Sequence, residues 1–489
     1  MRTTHRPLST LALALCLFMA ALEMTVVSTA MPTVVSDLGG LHSYAWVFTA
    51  YMLASTITVP IYGKLSDLYG RKPVLLFGVG LFLVGSIASG LATSMGMLIA
   101  FRTLQGLGAG AMQPVALTVV GDLYTLEQRA RVQGAFSAVW GIAGLVGPLT
   151  GGLIVKYLTW HWIFFVNVPI GVGAMFLLGV FFHERVQRKP QRLDIAGAVL
   201  LSAGVVLLLI GVQGMEHQLP ALVGAGVLLA AFVFVELRAA EPLLPMSLFR
   251  IPAIAISSVA GALFSSAQFG ATTYVPLYVQ AVLGGSPTLA GGMITPMIVG
   301  WPLASLLAGR LILRMGFRPL IIGGFGMAAA GTALMALLLK PGAPLLVPEV
   351  AMGIFGLGLG FASTSLLIAV QTSVGWELRG VATASNMFFR TIGGALGVGL
   401  MGGVMVSRLM EDSRIPLSAA NQILSPEHGR GLAPEVLRTL GDALGRGLSL
   451  NFWLICVSAL GAFLAALFFP RTHRPTPTSL PSSDAVAPH

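Results

Sequence analysis

Charge is what this chain lacks most. Only 9% of its 489 residues are Asp, Glu, Lys or Arg while 56% are hydrophobic, against ~25% charged residues in an ordinary soluble domain. So little charge cannot cover a water-facing surface, which excludes a soluble globule. Cysteine is nearly absent as well. Cys16 and Cys456 both lie inside apolar runs, which excludes a disulfide framework and a C-x-x-C metal site. The sequence holds no G-x-x-x-x-G-K-[ST] loop, no H-E-x-x-H pair and no polar stretch long enough for a soluble catalytic domain. ATP-driven pumping and metalloenzyme chemistry are therefore not indicated, and neither a cofactor nor a metal is expected.

What the sequence does have is apolar length and glycine. The 60 glycines suit membrane helices, which pack closely through small residues. A window of about 19 residues, enough to cross ~30 Å of hydrocarbon, finds fourteen spans. Six cover 8–31, 44–65, 73–92, 97–120, 132–155 and 160–182; two more cover 193–212 and 219–237; the last six cover 252–283, 289–311, 319–339, 345–370, 381–406 and 450–469. The spacing predicts an all-α polytopic membrane protein in four parts. These are a six-helix bundle over 1–190, two inserted helices over 191–240, a second six-helix bundle over 241–470 with a long external loop over 407–449, and a Pro- and Ser-rich disordered cytoplasmic tail over 471–489.

The formal net charge of +10 would suggest nucleic acid in a soluble protein, but the basic residues gather on alternate loops. Arg2 and Arg6, Lys64 with Arg71 and Lys72, Arg129 and Arg131, Arg310 to Arg318, and Arg471 with Arg474 fall on one side, whereas the short loops opposite hold only Lys156 and Lys340. The positive-inside rule puts the basic side, with both termini, in the cytoplasm. The partners implied are the lipid bilayer and a small solute rather than nucleic acid, and the chain reads as a monomer in the inner, cytoplasmic membrane of a prokaryote.

One loop occurs twice. Gly63 to Pro73 aligns without gaps on Gly309 to Pro319, 246 residues on, and at the same offset Gly147 and Gly151 fall on Gly393 and Gly397. The copies are eight spans apart, as two six-helix bundles around a two-helix insert require; duplicated bundles around a midplane site are the plan of many secondary transporters.

Gly63 to Lys72 fits G-x-L-S-D-x-x-G-R-K, and here the chain resembles the major facilitator superfamily. The resemblance implies a conformational latch made by Gly63, Asp67, Gly70, Arg71 and Lys72, with Asp122 at the end of the fourth span as a further partner; in the second copy Leu313 and Phe317 replace the acid and the arginine. Arg102-x-x-Gln105-Gly106-x-Gly108-x-Gly110 is similar to the family's fourth-helix motif. Gly144-x-x-Gly147-Pro148-x-x-Gly151-Gly152 is similar to the fifth-helix motif of its antiporters. Glu23 to Pro32, Trp160 to Gly171 and Tyr274 to Gly291 resemble segments of the fourteen-helix drug/proton antiporter branch, with glutamate where that branch usually has aspartate and His161 where arginine is commoner.

Glu23 is the one carboxylate deep inside a predicted span. At 1.5 Å per residue it lies about 22 Å from the inner surface. Arg102, about 8 Å below the outer end of its own helix, is at the same level, so the two can pair. The proton affinity of such a carboxylate is set by burial working against the guanidinium, which makes Glu23 with Arg102 the candidate proton-coupling pair. Polar residues in apolar helices nominate Tyr51, Gln105, Gln113, Asn167, Gln268, Asn386 and Arg390 for the substrate cavity. The expectation is a proton-coupled antiporter, a multidrug efflux permease, that exports amphipathic cationic or neutral drugs or dyes by alternating access, with cargo competing with or following protonation of Glu23. An exporter of lipid-like molecules and a proton-coupled uptake symporter are the alternatives.

Overall fold

The computed structural model describes residues 4–38, 44–184, 194–212, 218–285, 287–340, 342–410 and 434–471. Residues 472–489 of the predicted tail and residues 411–433 of the predicted external loop lie outside them. The described chain is helical throughout: α1 Arg6–Leu38, α2 Tyr44–Tyr69, α3 Arg71–Gly90, α4 Met95–Leu123, α5 Leu126–Tyr157, α6 Trp162–Phe165, α7 Asn167–Phe181, α8 Ile195–Val212, α9 Gln218–Glu236, α10 Pro252–Ala281, α11 Pro287–Gly292, α12 Thr295–Met315, α13 Phe317–Leu338, α14 Leu346–Thr372, α15 Arg379–Met410 and α16 Pro434–Leu467. The sixth span is broken into α6 and α7 at Val166, close to Pro169, which has no N–H for a helical bond; the tenth is divided between α11 and α12. Fourteen long elements result, as the apolar runs predicted.

Among the described residues, twelve of these elements are long and apolar enough to cross a membrane. The two outside that set are α2 and α4, which carry Lys64 and Asp67, and Arg102, Gln105, Gln113 and Asp122. One boundary needs correction. Most of the described part of the predicted loop is helix, because α15 continues to Met410 and α16 starts at Pro434.

The elements form two bundles, α1 to α7 and α10 to α16, with α8 and α9 packed together as the insert. Each bundle has its own apolar core. Phe82, Leu83, Met112 and Val115 lie in the first, and Phe264, Phe325, Phe355 and Phe452 in the second. The sequence repeat is also a repeat of geometry. Gly70 (φ 98, ψ 154) joins α2 to α3, and Gly316 (φ 81, ψ −176) joins α12 to α13, both in a region open only to glycine. Gly147 and Gly151 seat α5 on Thr25 and Thr29 of α1, while Gly393 and Gly397 seat α15 on Ala262 and Ser266 of α10. Gly70→Ala is expected to destabilise the fold by about 1–3 kcal/mol, read as a lower unfolding midpoint in detergent, and Gly316→Ala is expected to do the same.

The insert packs against both bundles, α8 touching α2 of the first and α15 of the second. Lys64 of α2 pairs with Glu241 at 3.3 Å. Glu236, at the end of α9, is buried and accepts the backbone N–H groups of Leu243 and Leu244, each at 3.1 Å. Both its oxygens are therefore committed to capping the turn that follows α9, a structural use of a buried acid.

Candidate functional site

Three groups of residues lie between or within the bundles: a charged network at the end that carries residue 6, a buried carboxylate cluster in the first bundle, and a cavity between the bundles.

The network is centred on Arg71, whose side chain is fully buried. Its guanidinium meets Asp67 at 2.8 Å, Asp122 at 3.1 Å and Glu184 at 3.8 Å, donates to the carbonyls of Ser66 and Trp376 at 3.1 and 3.0 Å, and lies 4.0 Å from the centre of the Trp376 ring. Asp122 also accepts from Arg379 at 2.5 Å. The Asp67 carboxylate accepts the backbone N–H groups of Gly380 and Val381, at 3.0 and 2.8 Å, where the positive end of the α15 dipole favours an anion. Gln371 reaches across to the Leu117 carbonyl at 3.1 Å. The α2–α3 and α4 ends are thus tied to the other bundle by charge-assisted bonds. Gly63 lets the two backbones meet: a Cβ there would stand 2.3 Å from that of Ala384 and 3.2 Å from the Gly380 carbonyl oxygen. Lys72 serves its own bundle, where its Nζ caps α7 through the carbonyls of Gly179 and Phe182.

The structure thus brings Asp67, Arg71 and Asp122 into one cross-bundle network with Gly63 at the same contact, whereas Gly70 forms the α2–α3 turn and Lys72 bonds within its own bundle. Sequence reasoning missed the cross-bundle partners Trp376, Arg379 and Gln371. A signal for Arg379 did exist, since a cation in the first turn of a helix opposes the dipole and needs an anion close by.

The second group is the predicted pair, and it is in contact. Glu23 is buried, and one of its carboxylate oxygens accepts from the Arg102 guanidinium. The other accepts from Asn167 Nδ2 at 2.5 Å. Arg102 also donates to Gln105 Oε1 at 2.7 Å and to the Val47 carbonyl at 3.3 Å, and lies 4.3 Å from the centre of the Tyr51 ring. Ser86 Oγ accepts from Gln105 and Asn167 at 3.2 and 3.1 Å and donates to the Phe164 carbonyl at 2.9 Å. The break at Val166 makes Asn167 the first residue of α7, level with Glu23. Asn167 Oδ1, buried beside the carboxylate, has no partner among the described residues.

The cavity encloses about 400 Å³ between the bundles. Gln113, Gln133, Ser137, Trp140 and Gly144 line it from the first bundle, and Ser265, Gln268, Thr272, Trp301, Ser363 and Arg390 from the second. Three of the predicted cavity residues, Gln113, Gln268 and Arg390, are there. The other four are not. Tyr51, Gln105 and Asn167 belong to the carboxylate cluster, because a buried ion pair consumes the polar groups around it. Asn386 is buried in the second bundle, where it donates to the Ser257 carbonyl at 3.3 Å. Glu23 is also outside the lining, although its neighbours Met24 and Thr25 are part of it. The antiporter-like stretch divides in the same way. Gly147 and Gly151 pack on α1, whereas a Cβ at Gly144 or Gly152 would meet no atom within 4 Å. Pro148 lies within α5.

Comparison with known proteins agrees with this architecture. The family model described as Major Facilitator Superfamily matches residues 13–398. The chain is 39% identical over 426 residues to the multidrug transporter protein MdtP of Bacillus subtilis (strain 168), covering 85% of this chain and 79% of that one. It is 33% identical over 493 residues to multidrug resistance protein 3 of the same organism, covering 95% and 96%. Among solved structures, the proton:xylose symporter XylE superposes with a TM-score of 0.61 over 95% of both chains at 16% identity, a likeness of fold. The family model over most of the chain and the two relatives at 39% and 33% identity settle the family: the chain belongs to the major facilitator superfamily and is a multi-pass membrane transporter, not an enzyme.

Proposed function

We propose that this transporter exports amphipathic drugs across the cytoplasmic membrane of a prokaryote, driven by protons moving inward. In this reading the end that carries the charged network and both termini faces the cytoplasm. The network is the latch that shuts the cavity on that side, and Glu23 carries the proton. One observation carries the proposal: the Glu23 carboxylate, buried within a span and held by one guanidinium and one amide, in the wall of a bundle whose neighbouring residues line the cavity. An ionisable group inside a membrane is costly to keep and marks a functional site. The names of the two Bacillus relatives support a drug as cargo, and an apolar cavity rimmed by amides, hydroxyls and indoles suits loose recognition.

Inside-out vesicles loaded with acid test it. A lipophilic dye is expected to accumulate in the lumen as protons leave, in the absence of ATP, and nigericin is expected to abolish the accumulation. Dye leaving the lumen together with protons would show a symporter instead. Accumulation that survives nigericin and requires ATP would overturn the proposal.

A further inference from the structure

The exporter reading leaves one charge without a use. Arg390, in α15, lines the cavity and is the only charged side chain that does so among the described residues, since no Asp, Glu, Lys or second Arg is in the lining. The expectation of a cationic or neutral cargo came from the family resemblance; the fixed charge that lines the cavity is positive. The two fully buried guanidinia are neutralised, Arg71 by Asp67 and Asp122 and Arg102 by Glu23, whereas Arg390 is half-buried and faces the cavity. Arg390 has no ion-pair partner among the described residues, and its one hydrogen bond there, from Nε to Ser265 Oγ, is 3.5 Å long, at the weak limit of such bonds. A guanidinium at this depth without a counter-charge is expensive.

The side chain is nevertheless built into place. Its stem lies against Gly261 of α10, where a Cβ would stand 3.0 Å from Arg390 Cγ, and Ser265 is one turn further along the same helix. Glycine under the stem and a hydroxyl at Nε orient the guanidinium and leave its two terminal amino groups without an acceptor among the described residues. A planar fork of this kind matches a carboxylate in two-point contact. Trp140, Trp301, Phe136 and Phe269 supply flat apolar walls in the same cavity.

We propose that Arg390 is an anion-recognition site and that the cavity prefers amphipathic organic carboxylates, an apolar body bearing one negative charge, over cations of the same shape. This rests on the exporter reading and names its cargo class.

The test uses the full-length protein in lipid nanodiscs and three probes of one shape: 1-pyrenebutyrate, its primary amide and 4-(1-pyrenyl)butylamine. Binding is read as energy transfer from Trp140 and Trp301 to pyrene, with empty discs subtracted. The carboxylate is expected to bind about tenfold tighter than the amine, the scale of a hydrogen bond to a charged group. Arg390→Gln is expected to weaken the carboxylate about tenfold while leaving the amide within about twofold; Arg390→Lys keeps the order carboxylate, amide, amine. The inference fails if the amine binds as tightly as the carboxylate, or if Arg390→Gln moves the carboxylate no more than the amide. Should Arg390→Gln not fold, the native order together with that of Arg390→Lys decides. Transport of the uncharged amide under an imposed proton gradient separates the two claims. Amide export with no carboxylate preference overturns the anion site alone, and carboxylate preference with no gradient-driven transport overturns the exporter reading alone.

Discussion

Glu23→Gln is expected to abolish gradient-driven export while leaving the cavity intact. Glutamine keeps the size of glutamate, its one oxygen can still accept from Arg102, and its amide group can donate to Asn167 Oδ1, which has no partner among the described residues, once that side chain turns over; this is the arrangement open to a protonated Glu23, so the packing around it survives. What disappears is the group that takes up and releases a proton. Removing a positioned proton-transfer group slows a reaction by about 10² or more, and the fall in the initial rate of dye accumulation in acid-loaded vesicles is expected to be of that order. Equilibrium binding of an uncharged probe is expected to stay within about twofold, because Glu23 does not line the cavity. Arg102→Ala should lose both, since it leaves a buried carboxylate without a counter-charge, at a cost of about 3–5 kcal/mol. Gradient-driven export retained in Glu23→Gln would place proton coupling elsewhere; lost binding would mean that the cluster is structural.

The second large effect is expected at Gly63. A methyl group there would come within 2.3 Å of Ala384 Cβ, a distance that real side chains do not tolerate, and the helices that must separate, α2 and α15, are those tied by Asp67 to the N–H groups of Gly380 and Val381. Gly63→Ala should therefore force the latch apart and favour the state open to the cytoplasm. A cysteine placed at Gln133 in the cavity lining then reports the change as labelling by a membrane-impermeant maleimide in inside-out vesicles, expected to rise about tenfold, which corresponds to a shift of about 1.4 kcal/mol in the equilibrium. Ala384→Gly in the same chain removes the clashing methyl and should return labelling toward the native level. A rise that the second change leaves untouched would mean that Gly63 acts within its own helix rather than across the interface.

Much of this was legible in the sequence, for reasons visible in particular residues. Gly70 and Gly316 announce the duplication because both junctions need a backbone that only glycine adopts. Glu23 and Arg102 announce each other because neither charge is tolerable alone at that depth and simple helical rise puts them level. Asn167 was misplaced, since its position depends on a break at Val166 that no periodicity reveals. The start of α16 was missed because Glu435, Arg438, Asp442 and Arg446 lower the hydropathy of any long window, although Leu437, Leu440, Leu444 and Leu448 follow helical spacing behind Pro434. Trp376 and Arg379 stayed hidden because their partners are some 250 to 300 residues away in the chain, where pairing is a matter of topology rather than of local pattern.

The carboxylate cluster and the cavity share a wall but not a space. In the proposed exporter, solute and hydrogen ion therefore need never compete for one pair of oxygens; each biases the same rocking motion from its own compartment, joined through the stiffness of α1. A machine arranged in this way can change its clientele by altering the lining of one room without retuning the motor in the next.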